Sequence, residues 1–165
     1  MKTRILDHSS VLEKLERMAW QIWEMNASKK ELVMAGIDAR GYYVAKQLKS
    51  YLERISPLHI ELIRLKIDKD SPNQGGITLE PKISMTSRDV VVVDDVLNSG
   101  ITLMHACSYI MNENPETLRT VILANRDHTK FPVKADVVGI SLATTLQEHI
   151  SFDNVNEEDL KVYLS

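Results

Sequence analysis

One cysteine, Cys107, stands in the whole chain, so no internal disulfide framework can staple the fold. Long apolar runs are missing too. Nothing approaches the roughly 20 residues that span a bilayer, and the start Met1-Lys2-Thr3-Arg4-Ile5-Leu6-Asp7 lacks the apolar core of a secretory leader. The expectation is a cytoplasmic protein with no membrane partner. Strong charge of one sign is also absent: 20 basic against 23 acidic residues give a net charge of −3 and a pI near 6.0. That balance argues against a general nucleic-acid binder, which would be basic. No internal repeat, low-complexity tract or interdomain linker appears. What is present is ordinary globular material, 44% apolar and 26% charged. A chain of this length makes one domain, residues 1–165, able to bury roughly 70% of its unfolded surface.

Hydrophobic periodicity orders the chain. Ser10-Val11-Leu12-Glu13 fits a capping box with Ser10 as N-cap. The helix after it carries Val11, Leu15, Met18, Ile22 and Met25 on one stripe and ends near Asn26. Trp20 and Trp23 on it read as core or subunit-interface residues. Glu31-Leu32-Val33-Met34-Ala35-Gly36-Ile37 reads as a buried strand, followed by a helix from Tyr42 to Tyr51. Leu58 to Leu65 is a third strand. The stretch Asp68-Lys69-Asp70-Ser71-Pro72-Asn73-Gln74-Gly75-Gly76 has no apolar period and reads as a mobile lid or hairpin tip, with Ile77 and Leu79 on the return arm. Further strands are expected over 117–124 and 135–140, and a helical turn plus a small strand in the tail. Strands alternating with helices indicate an α/β fold with a central, mostly parallel sheet flanked by helices.

The most informative stretch is Val90-Val91-Val92-Val93-Asp94-Asp95-Val96-Leu97-Asn98-Ser99-Gly100-Ile101-Thr102. Four β-branched residues in a row read as a strand buried on both faces. Two carboxylates follow at its carboxyl end, where ligands bind in open α/β sheets. Adjacent carboxylates repel and usually want a cation, and Asp94 and Asp95 suit Mg²⁺ or sugar hydroxyls. The turn then opens into a helix whose unpaired N–H groups and dipole make an anion site, with Ser99 and Thr102 adding hydroxyls. A second strand-to-helix turn, Gly36-Ile37-Asp38-Ala39-Arg40-Gly41, presents backbone N–H groups and the forked guanidinium of Arg40. Two anion sites in one sheet suit a ligand with phosphates at both ends.

The acidic stretch resembles the phosphoribosyl-pyrophosphate (PRPP) signature of type I phosphoribosyltransferases. Over its whole length the chain is similar to the pyrimidine-operon attenuator/uracil phosphoribosyltransferase family. Besides the two turns, Asn125-Arg126-Asp127-His128 through Phe131-Pro132-Val133-Lys134-Ala135-Asp136-Val137-Val138-Gly139 resembles that family's Asp-Arg-Gly-His…Leu-Pro-Ile-Arg-Ala-Asp-x-x-Gly run. The resemblance implies the type I fold with a small hood and a mobile lid loop, and a homodimer or higher homo-oligomer. It implies Mg²⁺-dependent transfer of phosphoribosyl from PRPP to a nucleobase, uracil first, with release of pyrophosphate. Asp94 and Asp95 would be the catalytic pair, holding the ribose hydroxyls and the metal directly or through water. Leu97, Asn98, Ser99, Gly100, Ile101 and Thr102 would hold the 5′-phosphate. Asp38, Ala39, Arg40 and Gly41 would hold pyrophosphate, and Val138, Gly139 and Ile140 would face the base.

Several positions depart from the family. Ile101 replaces an arginine in the phosphate loop, Ile67-Asp68-Lys69-Asp70 stands where the lid carries Tyr-Arg-Asp-Asp, and the hood's Gly-Lys-x-Ile-Pro-Thr becomes Gly139-Ile140-Ser141-Leu142-Ala143-Thr144. Purine-salvage relatives place Asp where Asn98 sits. An amide cannot accept a purine proton, which argues against hypoxanthine or guanine. The altered lid and hood favour an alternative reading, a non-catalytic PRPP or nucleotide sensor regulating pyrimidine metabolism. The first helix would form part of an RNA-binding face, yet Leu15-Glu16-Arg17-Met18-Ala19-Trp20-Gln21-Ile22-Trp23-Glu24 carries one arginine, which argues against RNA attenuation.

Overall fold

A computed structural model describes residues 2–68, 76–145 and 147–165. In chain order the elements are β1 (Thr3–Leu6), α1 (His8–Met25), β2 (Glu31–Ile37), α2 (Arg40–Ile55), β3 (His59–Ile67), β4 (Ile77–Glu80) and β5 (Asp89–Leu97). Then come α3 (Ile101–Met111), β6 (Thr117–Arg126), β7 (Val137–Leu142), β8 (Ile150–Asp153) and β9 (Lys161–Leu164). Among the described residues the main sheet runs β4-β3-β2-β5-β6-β7, parallel except for the antiparallel β3–β4 pair. A second, antiparallel sheet, β1-β9-β8, forms the hood.

The valine run explains why the layers stack as they do. Side chains alternate along a strand, so Val91 and Val93 join the cluster containing Leu15, Met18 and Ile22 of α1 and Val44, Leu48 and Leu52 of α2. Val90 and Val92 join the opposite cluster with Leu103, Ala106 and Ile110 of α3. Each of these buried Val, Leu, Ile and Met side chains contributes roughly 1.5–3 kcal/mol relative to an exposed position. The hood shares the first core through Phe152, Leu160 and Val162, and the Leu160 N–H donates to His8 Nδ1 at 3.1 Å.

The order of strands also places the ligand side. From β2 the chain crosses outward to β3; from β5 it crosses the other way to β6 and β7. The sheet therefore switches direction between β2 and β5, and the crevice beyond the carboxyl ends of those two strands is where such sheets bind ligands.

Several boundaries differ from the sequence expectation. The N-cap of α1 is Asp7, three residues before Ser10: its Oδ1 accepts the Ser10 N–H at 3.0 Å and the Ser9 hydroxyl at 3.1 Å. The Ser10 backbone bond holds the Asp7 carboxyl below its ordinary range. Helix α2 starts at Arg40, so Arg40 and Gly41 belong to its first turn. The tail holds two strands, and the expected helical turn gives way to polar turns in which Asp153 and Asn156 side chains accept the N–H groups of Val155 and Glu158. Trp23 packs against the core while Trp20 is exposed. Residues 69–75 of the expected lid lie outside the described residues; the register Ile67↔Ile77 and Leu65↔Leu79 shows the return arm pairing with β3. Among the described residues no helix is long and apolar enough to cross a membrane.

Candidate active site

Strand β5 delivers the acidic pair to the crevice. Asp94 and Asp95 are 3% and 4% exposed, and Asp94 Oδ1 accepts the Asp95 N–H at 2.9 Å. Carboxylates are almost never this buried without compensation. Helix α2 closes on them because Gly41 has no side chain: a Cβ there would lie 2.7 Å from Asp94 Oδ1 and 2.8 Å from the Val93 carbonyl oxygen. The glycine that looked like a loop residue in the sequence is a close-packing residue.

After Leu97 the chain turns through Asn98, Ser99 and Gly100 into α3. Gly100 has φ +87°, a left-handed backbone that favours glycine, and a Cβ there would also meet Val133 Cγ1 at 2.7 Å. Gly100, the N-cap of α3, has no side chain to cap it, and the Ile101 N–H donates to Ser99 Oγ at 3.3 Å. The next first-turn N–H groups, of Thr102 and Leu103, are left for an anion, the arrangement that favours phosphate. The Ser99 carbonyl accepts the N–H groups of Lys130 and Phe131 at 2.9 and 3.1 Å, so the β6–β7 connection braces the loop.

A cleft of about 350 Å³ joins Arg40, Asp94, Asp95, residues 96–103 and, across from them, His149, Ile150 and Ser151 of the hood. The structure thus brings together the acidic pair, the loop at residues 97–102 and Arg40. Asp38 lies at the other side of the same turn, in a hollow of about 270 Å³ with Lys66, Ile67, Asp68, Gly76 and Thr78. The Asp38–Ala39 peptide is cis, and the Asp38 N–H donates to the Leu65 carbonyl at 2.9 Å. Arg64 of β3 reaches the turn: its Nε lies 3.6 Å from Asp38 Oδ1 and its guanidinium stacks 4.3 Å over the Tyr42 ring.

Val138, Gly139 and Ile140 do not reach the cleft. They sit in the body of β7, where Arg17 Nη2 donates to the carbonyls of Val138 and Gly139 at 3.0 and 2.5 Å. A Cβ on Gly139 would fall 2.3 Å from the Leu123 carbonyl oxygen. These residues anchor α1 to the sheet edge, while the wall nearest the acidic pair comes from the start of β8.

Sequence reasoning missed Arg64, the 129–133 brace and the hood wall at residues 149–151. Arg64 looked like one polar position of a strand; only the pairing Gly36↔Arg64 shows that it stands beside the end of β2. Arg126 and Asp136 turn out to be framework residues. Arg126, 9% exposed, donates to the Thr145 carbonyl at 2.7 Å. Asp136 Oδ2 accepts the Thr120 N–H at 2.9 Å, and its own N–H donates to Thr120 Oγ1 at 3.0 Å, fixing the entry to β7.

Known proteins carry the same plan. Residues 1–155 match the phosphoribosyl transferase domain family. The bifunctional protein PyrR of Streptococcus mutans is 33% identical over 163 residues, covering 96% of this chain and 93% of that protein. PyrR of Leuconostoc mesenteroides is 31% identical, covering 88% and 87%. Among solved structures, the hypoxanthine phosphoribosyltransferase of Trypanosoma cruzi superposes with TM-score 0.77 at 16% identity, over 97% of this chain and 95% of that one. A hypoxanthine-guanine phosphoribosyltransferase of Bacillus anthracis gives 0.69 at 20% identity, over 86% and 84%. With the matched family spanning nearly the whole chain and the type I fold shared with these structures, the chain belongs to the phosphoribosyl transferase family and is a phosphoribosyltransferase.

Proposed function

We propose that the chain, as one domain over residues 1–165, transfers the phosphoribosyl group of PRPP to a nucleobase, uracil first, and releases pyrophosphate. The observation that carries this reading is the single cleft holding a buried acidic pair, the N-terminal turn of α3 and Arg40. The loop at residues 97–102 receives the 5′-phosphate through backbone N–H groups and the hydroxyls of Ser99 and Thr102. Asp94 and Asp95 hold the ribose hydroxyls and favour the positive charge that develops on the ring as the pyrophosphate bond breaks. The turn at residues 38–41 holds the departing pyrophosphate, with Arg40 and Arg64 as its cations. Catalysis on this plan is positioning and fixed electrostatics rather than side-chain proton transfer.

The acidic pair fits Mg²⁺, a hard cation commonly held by one or two carboxylates together with substrate oxygens and water. Among the described residues no cluster of three or more His, Cys, Asp or Glu offers a complete cage, so substrate would complete the coordination. Bound there, the metal would neutralise charge on the pyrophosphate. The family resemblance read from the sequence supplies the preference for uracil and the expectation of a cytoplasmic homodimer or higher oligomer, and the exposed Trp20 on α1 is a residue an interface would cover. RNA attenuation gains little from this surface, because Arg17 is engaged with β7 carbonyls and Arg126 is buried.

The test is to mix the pure protein with PRPP, Mg²⁺ and a panel of bases and to follow pyrophosphate. Uracil-dependent release, lost in Asp95→Asn, is the expected result. No release with any base, together with saturable PRPP or nucleotide binding, would replace the enzyme by the sensor reading. Turnover at the wild-type rate in Asp95→Asn would remove the acidic pair from the mechanism.

A further inference from the structure

Among the described residues, Asn98 ties the loop at residues 97–102 to the hood. Its Oδ1 accepts the Ile150 N–H at 3.2 Å and its Nδ2 donates to the Ile150 carbonyl at 3.1 Å. This two-way pairing with a backbone fixes which end of the amide is nitrogen, an assignment that otherwise has to be inferred. The second Nδ2 hydrogen faces His149 Nε2 at 3.4 Å. An amide nitrogen only donates, so the imidazole nitrogen facing it accepts. In a neutral imidazole the proton then sits on the other nitrogen, Nδ1. Nδ1 has no hydrogen-bond partner among the described residues, and the exposed ring lines the cleft opposite the acidic pair. The His149 backbone is itself held, its N–H donating to the Ser165 carbonyl at 2.7 Å and its carbonyl accepting the Ser165 N–H at 3.0 Å.

We propose that His149 is the side chain that reads the acceptor base, donating its Nδ1–H to the 4-oxo group of a pyrimidine and so selecting uracil over cytosine, whose amino group takes that position. The assignment rests on the phosphoribosyl-transfer reading above. With the 5′-phosphate on the loop and the ribose hydroxyls on the acidic pair, the remaining substituent of the sugar projects toward the hood wall. Asn98 cannot serve there, since both of its donors and its acceptor are engaged. Ile150 is buried and its backbone is taken by Asn98. Selectivity follows from polarity: a fixed N–H matches a carbonyl oxygen and mismatches an exocyclic amino group, which also donates. Asn98 thus acts as a positioning residue that sets the tautomer of its neighbour.

The experiment compares wild type, His149→Ala and His149→Asn for binding of uridine 5′-monophosphate and of ribose 5-phosphate by calorimetry, with pyrophosphate release followed for uracil and cytosine. The expected outcome for His149→Ala is a loss of about 3–10-fold in nucleotide affinity, the worth of one neutral hydrogen bond, with ribose 5-phosphate affinity unchanged. The KM for uracil rises while that for PRPP holds, and discrimination against cytosine narrows. His149→Asn, whose amide N–H can stand in for Nδ1–H, recovers part of the loss. Equal losses for both ligands would make His149 a strut of the phosphate loop and overturn the proposal. So would no loss for either, or a wild type that binds the nucleotide no tighter than ribose 5-phosphate. A wild type that binds the nucleotide but transfers no base would defeat the transferase reading alone, because the affinity ratio still decides the role of His149.

Discussion

Replacing Gly41 by alanine tests the closest approach in the site. An added Cβ would sit 2.7 Å from Asp94 Oδ1, 2.8 Å from Asp94 Cα and 2.8 Å from the Val93 carbonyl oxygen. Two of the three neighbours are backbone atoms of β5, a strand hydrogen-bonded on both sides by β2 and β6. It cannot retreat, so α2 must move outward. Overpacking of this kind costs about 1–3 kcal/mol, and the rigid neighbours put Gly41→Ala near the upper end. Alanine in the first turn of α2 returns about 0.5 kcal/mol of backbone entropy. The net loss is therefore ~2 kcal/mol, and for a domain of this size it lowers Tm by about 4–8 °C. The effect on turnover is larger in proportion. The displaced group is a carboxylate of the acidic pair, and a shift of ~1 Å at a reacting centre can cost about 100-fold. A thermal melt and pyrophosphate release on the same preparation measure the two effects. A variant that melts with the wild type and turns over at its rate would show that α2 does not bear on Asp94, and the description of the cleft floor would fall with it.

Arg64→Met removes the cation that β3 brings to Asp38, so pyrophosphate is expected to inhibit the variant about 10-fold less strongly, the worth of one charge-assisted hydrogen bond; undiminished pyrophosphate inhibition would take Arg64 out of the leaving-group site. Burial, with Asp136 nearby, pushes the Cys107 thiol up to about 11. Iodoacetamide should therefore label it far more slowly in native protein at pH 8 than in urea, and equal rates would refute the burial. The same shift carries a sign for stability. Above the ordinary thiol value near 9 the unfolded chain loses a proton that the folded chain keeps, so stability falls as pH climbs from about 9 through 11.

The sheet and the two strand-to-helix turns at its crevice were legible because they rest on short-range pattern. Four consecutive valines announce a strand covered on both faces, and Asp94, Asp95 and Gly100 follow within seven residues of the last of them. A parallel sheet then fixes the ligand side, and strand order alone puts the turn at residues 38–41 beside the one at residues 97–102. The buried stripes of α1 and α2 were readable for the same reason: a helix repeats its inward face every few residues. The start of α1 was not, because Asp7 and Ser10 are both good caps, and only the observed bonds choose between them.

The base site was illegible for a different physical reason. On the proposed reading, recognition of the base depends on where a small antiparallel sheet is set down on the ends of β5 and β6, and that placement is made by contacts far apart in sequence. Asn98 meets Ile150 across 52 positions, Arg17 meets Gly139 across 122, and His8 meets Leu160 across 152. No local signal in the stretch 137–142 says that its middle will be bound by α1 and its neighbours at 149–151 will face the substrate. The family resemblance assigned Val138, Gly139 and Ile140 to the base; in the fold Arg17 of α1 binds the carbonyls of Val138 and Gly139. On the proposed reading, specificity is therefore set by tertiary docking of the hood, whereas the phosphate and ribose sites are set by single strand-to-helix turns. The two can change independently. An Asn at position 98 closes the hood by pairing with the Ile150 backbone, and the residue next to Ile150 then becomes the one whose chemistry selects the base.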